Sequence, residues 1–324
     1  MIQNIALIKN PTSRLNRKEN QEFSQFAKQW LGDNYCVPYS IDHVLQTVAE
    51  LKRKHVQCIL IDGGDGTVSR VLTGIYHAYE PDQFPYLVIL PSGNTNLISK
   101  DIGFGLRGFQ ALQRIKILSE KQRLIHAVQH RHALKIEWIN SSRPAVLGMF
   151  QGALAFTKAT DIAHKPTIAK NFGHDLAIMV TILIALLKLI LPKSRRIWLD
   201  GDLCGLKIGQ NDFEFRNRFI FLATTLQKLS NGIWPFWGGN GNIDFFHYLS
   251  VDANPKKLLI SCLALLKGKS PMWLRKNSSY NSGVAKEILL NLNQNIILDG
   301  EHYDTGNNHV VKLSIGPRFS FLRL

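Results

Sequence analysis

The sequence predicts an α/β domain with a parallel sheet, followed by a β-rich domain built as an antiparallel sandwich. Its 324 residues suffice for two domains. Up to about residue 120, short apolar runs alternate with segments of helical periodicity, which is typical of a parallel sheet covered by helices. From about Leu124 onward, short aromatic and β-branched runs are separated by polar or glycine turns. We therefore place the domains at residues 1–125 and 126–324, and leave open whether the extreme C-terminus packs back on the first.

The first domain is expected to alternate strand and helix. Apolar runs of strand length end at polar or glycine-rich loops, and the segments between them carry apolar residues on one face. Asp42 is a plausible N-cap for the second helix. The predicted strands are 5–8, 37–41, 59–61 and 86–90, and the predicted helices are 20–31, 42–55, one that follows the glycine loop at Thr67, a short one after Asn96, and 108–118.

The second domain is expected to be mostly strand, with two apolar helical segments. At 16 residues, 176–191 falls short of a bilayer span, whereas 255–274 carries leucines on one side; both have lysines or arginines around them. Each segment is either a core helix or a site of membrane contact. The predicted strands are 132–139, 145–150, 196–199, 205–208, 218–223, 242–249, 287–292, 296–298 and 310–315.

The most informative stretch is Gly63-Gly-Asp-Gly-Thr67, between a buried strand and a helix. Glycines let a ligand approach the backbone, and the first amides of the helix have no acceptor within it, so the turn is suited to a phosphate. Asp65 would repel a bare phosphate, which indicates a bound Mg²⁺ or a proton in transit. The alternative is an ordinary strand-to-helix turn with Asp65 as the N-cap.

Two further loops are expected at the same edge of the sheet. Asn10-Pro11 follows the first strand, and Pro91-Ser-Gly-Asn-Thr-Asn96 follows the fourth. Since ligands of parallel sheets bind beyond the carboxyl ends of the strands, the three loops together predict one binding site.

These motifs carry a resemblance to known enzymes. The glycine loop resembles the nucleotide-binding loop of lipid kinases, NAD kinases and phosphofructokinases, whose fold is the one expected for the first domain. In order, the chain shows Asn10-Pro-Thr-Ser13, the glycine loop, Pro91–Asn96 and Leu298-Asp-Gly-Glu301. This order resembles the diacylglycerol kinase catalytic-domain family over nearly the whole chain.

The resemblance implies phosphorylation of a lipid hydroxyl with ATP and Mg²⁺. Asp65 would organise Mg-ATP as metal-binding and catalytic residue, and Glu301 would be the general base that takes the acceptor proton. The cofactor-binding residues implied by motif matching are Asn10, Ser40, Gly63, Gly64, Asp65, Gly66, Thr67, Val68, Ser69, Gly93, Asn94, Thr95 and Asn96.

Three positions depart from the family's usual motifs. Leu15 stands where a lysine often meets phosphate, and Asn94 stands at a threonine position. Asn240 replaces the carboxylate of a structural Mg²⁺ turn, so we expect that metal to bind weakly or not at all. Two alternatives therefore stay open, an NAD kinase and a catalytically weakened nucleotide- or lipid-binding regulator.

The net charge of +15 predicts anionic partners. No arginine- or lysine-rich run with interleaved aromatics marks a nucleic-acid groove, so lipid headgroups and nucleotides are favoured. Four scattered cysteines and the lack of a signal-peptide pattern predict a cytoplasmic protein. We expect peripheral contact with the inner membrane surface, where the lipid substrate lies, and leave a homodimer open.

Overall fold

The computed structural model describes residues 2–18, 21–163, 199–229, 232–239 and 243–323. The apolar segment 176–191, most of the predicted strand 196–199 and Asn240 lie outside these ranges. The chain divides into two compact units. The first comprises Met1–Ala133, Val146–Gly148 and Gly316–Leu324, and the second comprises Leu134–Ala145 and Met149–Ile315.

The first unit contains the parallel sheet that the sequence predicts. Its strands follow the order β2-β1-β3-β4, and the end of β15 lies beside β4 with Phe321 opposite Leu87. The strands are β1 (Ile5–Lys9), β2 (Tyr35–Cys36), β3 (Cys58–Gly63), β4 (Tyr86–Pro91) and the C-terminal part of β15 (Val310–Arg323).

Helices pack on this sheet and form the core of the unit with it. All residues of β1 and β3 are buried, as expected for strands covered on both faces. Apolar side chains of α1 and α5, such as Phe23 and Leu112, pack against them. The helices are α1 (Gln21–Leu31), α2 (Ile41–Arg53), α3 (Asp65–Ala78), α4 (Leu97–Ile102) and α5 (Gly108–Glu120).

The second unit is antiparallel, as the sequence predicts. Its hydrogen-bonded order is β14-β13-β7-β9-β8-β12-β15, and β10 joins β9 to β11. The strands are β7 (Phe150–Leu154), β8 (Asp202–Ile208), β9 (Glu214–Thr224), β10 (Phe246–Asp252), β11 (Tyr280–Ala285), β12 (Glu287–Asn291), β13 (Ile296–Leu298) and β14 (Glu301–Tyr303).

The described chain also contains two further strands and three α-helices. Strands β5 (Ala127–Trp138) and β15 run through both units, and β6 (Val146–Gly148) belongs to the first. The second unit also contains α6 (Ala155–Ala163), α7 (Leu258–Leu266) and α8 (Met272–Arg275). Among the helices that the structure describes, none is both long enough and apolar enough to cross a bilayer.

Several local predictions were wrong. The second strand covers Tyr35–Cys36 rather than 37–41, and Ser40 rather than Asp42 caps α2. The predicted strand 145–150 is two strands, β6 and β7, and strands β11 and β14 were not predicted. Strand β11 is polar and contains Gly283, but it pairs with β10 along its whole length. Pairing with a neighbouring strand, rather than local propensity, forms it.

Candidate active site

The three predicted loops leave the same edge of the first unit's sheet. The register of β1 with β3 ends at Lys9 opposite Asp62, and that of β3 with β4 ends at Gly63 opposite Pro91. Each loop therefore starts beside its neighbour, at the carboxyl ends of parallel strands.

Asn10 joins the first loop to the glycine loop. Its amide donates to the Asp62 carbonyl at 2.9 Å, and its side-chain Nδ2 donates to Thr67 Oγ1 at 2.9 Å. The side chain of Asn16 holds the turn from behind by donating to the Asn10 carbonyl at 2.9 Å. The hydrogen bond between the Asn10 and Thr67 side chains thus joins the first loop to the glycine loop.

The glycine loop and the Pro91–Asn96 loop meet backbone to backbone. A Cβ atom added to Gly93 would lie 2.4 Å from the Gly64 Cα, and one added to Gly63 would lie 2.6 Å from the Thr67 Cβ. No side chain fits at such distances. Internal packing therefore requires Gly63 and Gly93, in addition to any need of a ligand for close approach.

Asp65 links the same two loops through its carboxylate. Its two oxygens accept the amides of Leu97 and Ile98, both at 2.9 Å, and so cap the N-terminus of α4. Burial raises the pKa of Asp65, while the two amide hydrogen bonds and Lys100 act in the opposite direction. The alternative interpretation of Asp65 as the N-cap of its own helix, α3, is wrong, because its side chain caps the next helix, α4.

The Pro91–Asn96 loop is closed by Asn96. This residue has a left-handed backbone, with φ of 50°, and its Oδ1 accepts the Gly93 amide at 2.9 Å. Its Nδ2 donates back to the Gly93 carbonyl at 3.1 Å. Asn94 at the tip of the loop is exposed and Thr95 is half-buried.

The N-terminus of α3 has the form of an anion site. The amides of Thr67 and Val68 both donate to the Gly64 carbonyl, at 3.0 and 3.1 Å. The amides of Asp65 and Gly66 precede these first bonds of the helix and have no acceptor within it. The positive end of the helix dipole lies behind them.

Three predicted cofactor-binding residues are engaged elsewhere. Val68 and Ser69 are buried, and the Ser69 hydroxyl donates to the Leu147 carbonyl at 2.5 Å. Their side chains therefore do not face a ligand at the loop. The exposed Ser40 caps α2, since its hydroxyl accepts the His43 amide at 3.1 Å.

Two buried polar pairs behind the loops went unrecognised in the sequence. The Ser92 hydroxyl donates to the Asp62 carboxylate. Arg131 makes a two-bond ion pair with Asp101 at the end of α4, through Nε at 2.9 Å and Nη2 at 3.1 Å. The first pair connects the residue after β4 to β3, and the second connects β5 to α4. No sequence signal marks the second pair, since Arg131 stands between His130 and His132, and Asp101 follows Lys100.

Glu301 lies in the second unit, on a tight hairpin between β13 and β14. The two turn residues, Asp299 and Gly300, have φ of 47° and 88°, which is the two-residue hairpin geometry expected for Asp-Gly. Glu301 is half-buried and pairs with Leu298.

Asp299 anchors this hairpin, a role that the sequence did not reveal. Its carboxylate accepts the amides of Met149 and Phe150 at 2.8 and 2.9 Å, and its own amide donates to the Phe150 carbonyl at 2.9 Å. The side chain is buried. Asp299 therefore ties the turn that carries Glu301 to β7.

The described residues contain no group of three or more histidine, cysteine, aspartate or glutamate side chains placed to hold a metal ion. Both Asp65 oxygens already accept an amide, although a carboxylate oxygen has a second lone pair. This donor set fits Mg²⁺ only as an ion held largely by nucleotide phosphates, with Asp65 as its protein carboxylate.

Comparison with known proteins agrees with this geometry. Residues 4–129 match the diacylglycerol kinase catalytic domain. Two structures from Bacillus anthracis str. Sterne, a diacylglycerol kinase and a protein provisionally assigned as one, superpose with TM-scores of 0.58 and 0.62. Each is 13% identical and the match covers 98% of this chain and 96% of the other.

Yeast NADH kinase, in complex with NADH, superposes with a TM-score of 0.51 at 9% identity, over 100% of this chain and 84% of its own. These identities establish the shared fold alone. No curated protein matches the sequence significantly. The predicted resemblance is confirmed over residues 4–129, which match the diacylglycerol kinase catalytic domain and contain all three loops.

Proposed function

We propose that the protein transfers the terminal phosphoryl group of ATP to the hydroxyl of diacylglycerol or a related lipid. The observation that carries this proposal is the assembly of three loops at one sheet edge, within the segment that matches the kinase family. Phosphoryl transfer depends mainly on positioning and charge neutralisation, and interlocked loops supply positioning.

The first unit would bind the nucleotide phosphates at the N-terminus of α3. The amides of Asp65 and Gly66 would donate to phosphate oxygens, with the helix dipole adding to the attraction. Arg14 and Arg17 are exposed on the first loop and are available to add positive charge where Leu15 replaces the usual lysine. The proposed nucleotide site leaves out the buried Val68 and Ser69.

Mg²⁺ would reach this site with the nucleotide, and Asp65 would hold it. When bound, such an ion neutralises charge on the phosphates. The hydrogen bonds from the Leu97 and Ile98 amides keep the Asp65 carboxylate in place, so the side chain is already oriented before any ligand arrives.

Glu301 would accept the proton of the lipid hydroxyl. A base must be fixed in position as well as ionised, and the hairpin anchored by Asp299 provides a fixed position.

The test is transfer from labelled ATP to a panel of lipids in the presence of Mg²⁺. We expect Glu301→Gln to lower turnover by about 10²–10⁴-fold and to leave ATP affinity, measured by calorimetry, nearly unchanged. Glu137→Gln is the matched control, because Glu137 is a half-buried strand glutamate of the second unit that pairs with Lys135.

Other outcomes would point to the alternatives. Near-normal turnover by Glu301→Gln would remove this residue as the base. Formation of NADP from NAD and ATP, with no activity on any lipid, would identify an NAD kinase. ATP binding with no transfer to any acceptor would identify a regulator.

A further inference from the structure

Helix α7 (Leu258–Leu266) exposes the side chains that a helix usually buries. Its sequence, Leu-Leu-Ile-Ser-Cys-Leu-Ala-Leu-Leu, is apolar except at Ser261. Ser261 is nevertheless fully buried, and its hydroxyl donates to the Lys257 carbonyl at 3.0 Å. Leu259, Ile260 and Leu263 are 44%, 58% and 56% exposed. Adjacent apolar side chains that remain exposed to water add nothing to folding stability, and such patches usually mark a site of interaction.

Helix α8 (Met272–Arg275) adds two more exposed apolar side chains. Met272 is 63% exposed and Trp273 is 36% exposed, whereas Leu274 is fully buried and fixes the helix to the unit. The Lys257 ammonium lies 5.5 Å from the centre of the Trp273 ring and connects the two helices. We call Leu259, Ile260, Leu263, Met272 and Trp273 the α7–α8 surface.

The chain segment that forms the α7–α8 surface carries charge of one sign only. Between residues 255 and 279 there is no aspartate or glutamate. The segment carries six basic residues, and all six are exposed: Lys256, Lys257, Lys267, Lys269, Arg275 and Lys276. Apolar side chains bordered by cations are the combination that binds at the boundary between headgroups and acyl chains of an anionic bilayer.

The polar side of α8 is suited to an anion as well. Arg275 and Lys276 line a cavity of about 410 Å³ together with Arg216, Arg218, Glu214 and Asp252. Four cations against two carboxylates leave a net positive lining. A phosphate-bearing headgroup near α8 would therefore meet attraction rather than repulsion.

We propose that the α7–α8 surface docks the protein onto an anionic lipid bilayer. Leu259, Ile260 and Leu263 would enter the interface, and the surrounding lysines would face the lipid phosphates. The purpose of this contact rests on the proposed function, because a lipid kinase must reach an acceptor held in the membrane.

Charge argues against two other occupants. A second copy of the chain would bring six like charges against six. The segment 164–198 contains Lys165, Lys170, Lys188, Lys193, Arg195 and Arg196 against the single Asp175, so it too is strongly basic. Only an anionic partner complements the six basic residues around the α7–α8 surface.

The experiment is co-sedimentation of the full chain with vesicles, without nucleotide. Vesicles are either neutral phosphatidylcholine or phosphatidylcholine with phosphatidylglycerol, each at low and high salt. We expect binding to the anionic vesicles that weakens with salt, because exposed charges are screened over about 8 Å at physiological ionic strength.

Two variants test the surface directly. We expect L259S/I260S/L263S and K267Q/K269Q each to lower the partition coefficient by about tenfold or more. Matched controls remove equally exposed groups elsewhere: L203S/F215S for apolar side chains and K121Q/R123Q for charge. Both controls should bind as the unchanged protein does. Thermal unfolding confirms that each variant folds.

Several results would overturn the docking proposal. These are equal binding to neutral and anionic vesicles, no binding to either, or test variants that bind as well as their controls. Failure of the kinase proposal would look different, because it would leave vesicle binding intact while no lipid is phosphorylated. If both proposals hold, the test variants keep activity on a short-chain diacylglycerol dissolved as monomers and lose it on vesicles.

Discussion

Gln151 is completely buried in β7, between Leu298 and Ala223 of the neighbouring strands. Neither its Oε1 nor its Nε2 has a hydrogen-bond partner among the described residues. A buried polar group without a partner costs about 1–3 kcal/mol, so this side chain destabilises the fold of the protein without ligand.

We expect Gln151→Leu to raise the free energy of unfolding by about 1–2 kcal/mol, because it removes an unsatisfied amide and keeps the volume. Urea unfolding measures the change. Gln110→Leu, at an exposed position of α5, should alter stability by less than about 0.5 kcal/mol. A loss of stability in Gln151→Leu would show that the amide has a partner.

His247 makes stability depend on pH. It is buried in β10 against Trp234, and its Nδ1 lies 3.3 Å from the Gly238 carbonyl. Burial lowers the pKa of His247, an effect that the Gly238 contact partly opposes. Because the folded state favours the neutral ring, its contribution to stability is complete above the ordinary histidine pKa of about 6.5 and is lost as the pH falls below it.

We therefore expect Tm to fall between about pH 7.5 and about pH 5, and to fall less in His247→Gln. Differential scanning calorimetry at the two pH values checks this. His126→Gln, at an exposed position, serves as the control and should keep the full pH dependence. Identical pH dependence in the unchanged protein and His247→Gln would show that other groups cause it.

At the scale of the elements, the contact between the glycine loop and the Pro91–Asn96 loop is the feature most sensitive to substitution. Gly93→Ala would place a Cβ 2.4 Å from the Gly64 Cα. We expect a loss of about 1–3 kcal/mol of stability, since backbone must move, and a marked loss of ATP affinity with it.

Calorimetric ATP titration and urea unfolding together measure both effects. Gly209→Ala separates them, because Gly209 has φ of 59° and no atom within 4 Å of its added Cβ. That variant should lose about 1–2 kcal/mol through backbone strain and bind ATP normally. Normal ATP binding by Gly93→Ala would mean that the loop contact does not shape the nucleotide site.

The hairpin of β13 and β14 depends on Asp299. We expect Asp299→Ala to cost at least about 2 kcal/mol, because it leaves two buried amides without their charged acceptor. Lipid phosphorylation should also fall, since the turn that carries Glu301 loses its anchor.

Urea unfolding measures the stability change, with the exposed Asp212→Ala as the control. If Asp299→Ala were as stable as that control, the anchoring role would be refuted.

For the molecule as a whole, the charge of +15 is a source of internal repulsion. Raising the ionic strength from about 0.01 M to about 0.15 M shortens the screening length from about 30 Å to about 8 Å. We expect Tm to increase over this range, because repulsion between distant surface cations weakens. A decrease in Tm would show that attractive ion pairs, such as Lys158 with Asp202, outweigh that repulsion.

The positions of the three loops at the sheet edge could be predicted from local sequence. Apolar runs ending at Lys9, Gly63 and Pro91 are buried strands, and parallel strands place the loops at their carboxyl ends along one edge of the sheet. The antiparallel character of the second unit could be predicted from its short aromatic and β-branched runs, because residue type and periodicity are local properties of the sequence.

The partners of individual side chains could not be predicted, because they depend on residues distant in sequence. Asp65 caps a helix that begins 32 positions later, and Asp299 accepts amides about 150 positions earlier. The Ser69 hydroxyl turned out to face Leu147 instead of a phosphate. Hydrogen bonds and close packing of this kind are set only when the strands are paired and the helices are in place, so the fold rather than the motif assigns these residues their roles.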